Sequence, residues 1–220
     1  AAHSIFHIIP QTDTDFNNAE FHVTRGYKSE NYNPDILFTL DGSEDIIDNN
    51  ITVEQVYNES YSLENNKQYT LFVKDKVLWT NRYLSSSAHD RYREDCICIR
   101  NNKDINKTCE KYKSTDLVEC TLIEDKPYIR YLKNLTIIRE ESVDRCFLIK
   151  IEYISNMEIS NVTLNTIKTA NTPENGDSVF ILFHSAFITF RNVHINNVYS
   201  VTDSGHGYEL DTCYHIVFDN

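Results

Sequence analysis

Three phrases recur along the second half of this chain: Asn134-Leu-Thr-Ile, Asn161-Val-Thr-Leu and Asn192-Val-His-Ile, with a further asparagine at Asn220. The successive offsets are 27, 31 and 28 residues, and the last two align more than the asparagines. Met157, Ile188 and Ile216 fall in one column, and Ile159, Phe190 and Phe218 in the next. Upstream, Ile149, Phe180 and Tyr208 line up, as do Ile151, Leu182 and Leu210; downstream, Leu164 matches Ile195 and Ile167 matches Val198. Within each repeat the apolar columns mostly lie two residues apart, which is the side-chain period of a strand. The asparagine interrupts that rhythm at a fixed place, as a turn residue does. A repeat this short cannot bury its apolar face alone and must stack on its own copies. The spacing therefore predicts an all-β chain whose strands pair from repeat to repeat, with asparagines stacked inside as a ladder of amide bonds.

With those columns in place, residues 129–220 resemble the pectin-lyase-like right-handed β-helices of polysaccharide lyases, polygalacturonases and phage tailspikes. The resemblance implies a right-handed parallel β-helix, or solenoid, and it speaks for fold more than for activity. On this reading, residues 1–60 form a small N-terminal β segment that adapts or caps, and residues 61–220 form the β-helix. The stretch 69–128 is then read as irregular early coils, because strand and loop alternate there without a break in composition. The pattern stops midway through a repeat at Asn220, so the natural polypeptide is expected to continue.

Composition narrows the function classes. A net charge of −12, with 33 acidic against 21 basic residues and no basic cluster, argues against a nucleic-acid partner. No apolar run is long enough for a membrane-spanning helix. The six cysteines, at 96, 98, 109, 120, 146 and 213, are compatible with disulfides without requiring them. Their spacing is loose for zinc, and no metal site or cofactor is assigned. Five Asn-x-Ser/Thr sequons occur, but two of them, at Asn134 and Asn161, are ladder positions where a glycan is not expected.

Side chains between the apolar columns should point outward: Lys150, Ile181 and Glu209 in one column, Glu152, Phe183 and Asp211 in the next, and Ser160, Arg191 and Asp219 in a third. Glu209 and Asp211 would project together, and glycoside hydrolysis needs two such carboxyls. The string Gly205-His206-Gly207 is similar to the Gly-His-Gly of polygalacturonases, and Asp177 stands one repeat earlier. That family has a pair of aspartates where only Asp177 is present here, and a Gly-x-Gly also suits a tightly packed corner. The catalytic candidates are thus Asp177, His206, Glu209 and Asp211, with Phe183 and Arg191 as candidate sugar-binding residues.

Two readings follow. The first is a virion or cell-surface β-helix protein of the tailspike or appendage kind that recognises polysaccharide, for which the resemblance implies a homotrimer in an extracellular setting. The second is a secreted glycoside hydrolase or polysaccharide lyase. A purely structural rod is the plain alternative to both.

Overall fold

The computed structural model describes residues 4–8, 13–23, 35–52, 55, 63–78, 92–101, 103, 118–139, 146–166, 178–196 and 206–219. The described residues are nearly all strand, and the chain divides into two compact units: Ala1–Glu44 with Tyr128–Asn220, and Asp45–Pro127.

The first unit holds two five-stranded parallel sheets. One is ordered β1 (Ser4–Ile8), β3 (Asp35–Asp41), β9 (Cys146–Glu152), β11 (Ser178–Phe183) and β13 (His206–Asp211). The other is ordered β2 (Thr14–Val23), β8 (Arg130–Arg139), β10 (Ser155–Thr166), β12 (Ala186–Asn196) and β14 (Tyr214–Asp219). The chain alternates between them, so one strand from each sheet makes a tier, and the tiers follow one another at the sequence offsets. Met157 pairs with Ile188 and Ile188 with Ile216; Ile149 pairs with Phe180 and Phe180 with Tyr208. The columns read from the repeat are the columns of the sheets, except that Ile167 and Val198 lie outside the described residues.

Hydrogen bonding between tiers continues through the turn that joins the two sheets. The Tyr153 amide donates to the Phe183 carbonyl (3.2 Å), the His184 amide to Asp211 (3.1 Å), the Ala186 amide to Ile154 (2.9 Å) and the Tyr214 amide to Ser185 (3.0 Å). Backbone dihedrals repeat as well. Positive φ recurs at Tyr153, His184 and Thr212, at Asn156, Phe187 and His215, and at Asn134, Asn161 and Asn192. Such values are uncommon for residues with a Cβ, so their recurrence at the repeat offsets marks equivalent corners.

The inward columns form one continuous apolar core that includes Phe38, Leu40, Ile149, Ile151, Phe180, Leu182, Ile159, Phe190, Val162 and Leu164. Burying each side chain of this size contributes about 1.5–3 kcal/mol. Aromatic rings run through it: Phe180 stacks on Tyr208 at 5.2 Å and meets Phe190 edge-on at 5.0 Å, and Phe190 stacks on Phe218 at 5.3 Å. Burial pushes the Tyr208 hydroxyl up to about 12.

The asparagine ladder forms, but on the outside. The Asn134 amide donates to Asp15 (2.9 Å), Asn161 to Asn134 (3.1 Å) and Asn192 to Asn161 (2.8 Å); Asn196 donates to Asn165 (2.7 Å) in a second ladder. Asn161 and Asn192 are exposed, which corrects the expectation of buried amides. The cause is the left-handed backbone, which turns these side chains outward at the corner. Asparagine is then selected by its tolerance of that conformation as much as by its amide. Asn161→Ala is expected to cost about 1–2 kcal/mol, from lost amide bonds and left-handed strain, and Asn161→Gly less. Urea melts that place both variants on the parent would contradict this account of the corner.

The N-terminal strands belong to this same unit, since β1 pairs with β3 and β2 with β8. Together with the division at Glu44 and Pro127, this replaces the expected boundary near residue 60. The second tier is split between β3 and β8, and the chain between them builds the second unit. That unit is a four-stranded antiparallel sheet ordered β4 (Ile46–Ile51), β7 (Val118–Asp125), β5 (Gln68–Leu78) and β6 (Tyr92–Arg100). The described strands between residues 69 and 128, β5, β6 and β7, therefore pair antiparallel with one another and are not early coils of the repeat. Period-two alternation is the same for parallel and antiparallel strands, so local pattern does not tell them apart. Leu71, Val73, Ile99, Cys120 and Leu122 lie in its core. Buried Asp125 accepts bonds from Thr70 Oγ1 (2.9 Å) and Arg100 Nη1 (2.9 Å), and buried Asp45 pairs with Lys126 (2.7 Å) near the two ends of the unit.

Candidate functional site

Strand alternation in the first sheet sets the candidate face. With Phe38, Ile149, Phe180 and Tyr208 turned inward, the residues that follow them turn outward. The register aligns Thr39, Lys150, Ile181 and Glu209 in one column on the side away from the core and Asp41, Glu152, Phe183 and Asp211 in the other, but Thr39 and Ile181 are buried, so the first column is open only towards Glu209. Lys150 bridges the columns: its Nζ lies 2.6 Å from the Glu152 carboxylate and 5.5 Å from the centre of the Phe183 ring. Glu209 is exposed, whereas Asp211 is half-buried and accepts a bond from Thr212 Oγ1 (2.9 Å).

Phe183, Glu209 and Asp211 thus share one face, as the alternation predicts. Arg191 does not join them. It stands on the second sheet in the column of Lys133, Ser160 and Asp219, with Glu158 at 3.5 Å and Asp219 at 3.6 Å. Its charge is shared with two carboxylates on its own sheet. Asp177 lies outside the described residues, as do Gly205 and the side chain of His206; the backbone of His206 begins β13 opposite Ser178. Gly207 does not have a left-handed φ, and among the described residues a Cβ there would meet only Ile195 Cδ1, at 3.6 Å.

Chemically, the face offers two carboxyls, Glu209 and Asp211, on one side of a strand about 6.6 Å apart along the backbone. Among the described residues no group of three His, Cys, Asp or Glu side chains could hold a metal ion. Cys96 and Cys98 on β6 are separated from Cys120 on β7 by β5, so these three do not converge. Among the described residues no helix is long and apolar enough to cross a membrane.

The sequence reading missed the corner that joins the two sheets. There, Tyr153 stacks on His184 (5.3 Å, 13° between planes), and Phe187 contacts Tyr214 (5.7 Å) and His215 (5.4 Å). Partial burial, then the charges of Glu152 and Asp41, raise the Tyr153 hydroxyl above its ordinary value. A signal was present: these rings occupy equivalent repeat positions just outside the apolar columns. No family model, curated protein or solved structure matches the chain.

Proposed function

We propose that the first unit is a right-handed parallel β-helix that recognises polysaccharide, as a surface or virion protein of the tailspike or appendage kind. The observation that carries the fold reading is the unbroken hydrogen bonding through the corners at Tyr153 and His184, which a coil has and two separate sheets lack. Right-handedness follows from the near-universal hand of connections between parallel strands. A stack of equal tiers is stiff and repeats its outward side chains at about 4.8 Å, which matches a polymeric ligand better than a small one. The acidic balance also disfavours a nucleic acid.

The enzyme reading draws on Glu209 and Asp211, two same-face positions whose backbone spacing of about 6.6 Å leaves room for the carboxyl separation of about 6.5–9.5 Å that inverting glycosidases use. Binding without turnover is the expected behaviour. Electrophoresis through gels containing hydroxyethyl cellulose, glycol chitin or polygalacturonate should retard the protein in at least one, while the same polymers in solution release no reducing ends or unsaturated products. Product release that disappears in Glu209→Gln would make the protein an enzyme instead. Light scattering should report the trimer implied by the tailspike resemblance, and a monodisperse monomer at micromolar concentration would remove that part.

A further inference from the structure

We infer that the corner between the two sheets is a sugar-stacking ridge, built from Tyr153, His184, Phe187, Tyr214 and His215, for an uncharged or amino-bearing polysaccharide. The inference rests on the polysaccharide reading above and locates the ligand on a surface other than the face of Glu209 and Asp211.

The first support is conformational. Tyr153, His184, Phe187 and His215 all have left-handed backbones, with φ between 44° and 56°. That conformation costs about 1–3 kcal/mol for a residue with a bulky side chain, and Asn or Gly would adopt it more cheaply. The chain follows that economy elsewhere. The other corner carries asparagine in three successive tiers, at Asn134, Asn161 and Asn192, and Asn156 holds the position equivalent to Phe187 and His215. Closing the turn therefore does not call for rings, and Gly42 and Thr212 close it without one, yet rings hold one position at Tyr153 and His184 and the other at Phe187 and His215.

The second support is presentation. Tyr214 is 41% exposed and His215 is exposed, both on the edge strand β14, where the inward Phe218 is exposed as well, while Tyr153, His184 and Phe187 of the inner tiers are half-buried. Their mutual contacts hold them in place before any ligand arrives. Aromatic rings bring large, stiff contact area with few rotors to freeze. The C–H faces of pyranoses pack on such rings, and the tier spacing of about 4.8 Å approaches the length of one sugar in an extended chain.

The third support is charge. The outward column beside this corner holds Asp41, Glu152 and Asp211; of the described cations nearby, Lys150 is paired with Glu152, and Arg130 is buried beneath the corner with its Nη2 on the Ser155 carbonyl (2.6 Å). An anionic polymer would meet like charge along the ridge, whereas a neutral or amino sugar would not.

The test compares the parent with a triple variant, Tyr153→Asn, His184→Asn and Phe187→Asn, which removes three rings but supplies the residue that left-handed corners favour. Tyr214→Ala is a second variant that restores the alanine of the preceding tier, Ala186. In gels containing hydroxyethyl cellulose, glycol chitin or polygalacturonate, the parent should be retarded by one of the first two and not by the third. The triple variant should melt close to the parent and lose at least about tenfold in apparent affinity, and Tyr214→Ala should lose a smaller factor. Undiminished binding by both variants would overturn the ridge while leaving polysaccharide recognition in place. Retardation by polygalacturonate alone would overturn the charge argument and with it the assignment. A parent retarded by none of the three would remove the recognition reading itself, and the ridge along with it.

Discussion

Gly42→Ala is expected to lose about 3 kcal/mol or more of stability, the upper end of what overpacking costs. Gly42 follows β3 at the position that Tyr153, His184 and Thr212 occupy in later tiers, and its amide donates to the Glu152 carbonyl at 2.9 Å. An added Cβ would overlap the Tyr153 carbonyl oxygen, lie 2.7 Å from the carbonyl carbon and stand 2.9 Å from Ile154 Cγ1. Two of those three atoms are backbone of the next tier, so no side-chain rotation relieves the clash, and the tiers must separate or the turn must move. Gly207→Ala is the control, because among the described residues its Cβ would make only an ordinary contact, with Ile195. It should be neutral or stabilising by up to about 1 kcal/mol, since glycine in a strand carries an entropic cost. Urea melts should show a fall in midpoint for Gly42→Ala alone, at unchanged slope. Equal midpoints for the two variants would mean that β3 and β9 are not neighbours at this turn.

Asp125→Ala should cost the second unit about 3 kcal/mol. The Asp125 side chain is fully buried and accepts bonds from Thr70 Oγ1 and Arg100 Nη1, both at 2.9 Å. Removing one partner of a buried pair typically costs about 3–5 kcal/mol, because the other charge is left uncompensated. Arg100 is a third exposed and can recover some hydration, which sets the expectation at the lower end. Thr70 has no such recourse, being wholly buried. Asp125→Asn keeps an acceptor for Thr70 and should lose less. Denaturation followed by amide exchange in β5, β6 and β7 would resolve the effect, and protection there equal to the parent's in Asp125→Ala would show that the pair is not structural.

The repeat from Ile149 to Phe218 was legible because the tiers follow one another without interruption. A fixed offset of 31 and then 28 residues aligns Ile149 with Phe180 and Tyr208, and those same residues pair in the sheet. Of the earlier tiers only Asn134-Leu-Thr-Ile of β8 was legible, for two physical reasons. The second is split between β3 and β8 by the whole second unit, so the short step that takes Ile149 to Ile159 in the next tier becomes the long span from Phe38 to Leu132. The first is distorted: β2 shifts register against β8 between Asp15 and Ala19, where Asn17 and Asn18 are both left-handed. Strands such as Tyr69 to Val73 carry the same alternation whichever partner they take, which is why an antiparallel sheet passed for more of the repeat. The candidate face was legible in part. Alternation sends Phe183, Glu209 and Asp211 to one side, but it is silent on which sheet Arg191 belongs to, and Arg191 belongs to the other. The ladder was found and its burial misjudged, because the sequence shows where an asparagine recurs and not that its backbone is left-handed.

Everything proposed here depends on residues one repeat apart standing side by side, and a metal bridge tests that most directly. Thr163 and His194 pair in adjacent strands β10 and β12, with His194 exposed and Thr163 half-buried on the outer face. Thr163→His therefore sets two imidazoles on neighbouring positions of one face, a bidentate site for Ni²⁺. Binding to the folded state alone should stabilise that variant by about 2.7 kcal/mol at a hundredfold excess of nickel over its dissociation constant. The parent should show no such gain, and Thr163→His combined with His194→Ala should lose it. A Thr163→His protein whose melting temperature does not respond to nickel would contradict the register on which the stacked fold rests.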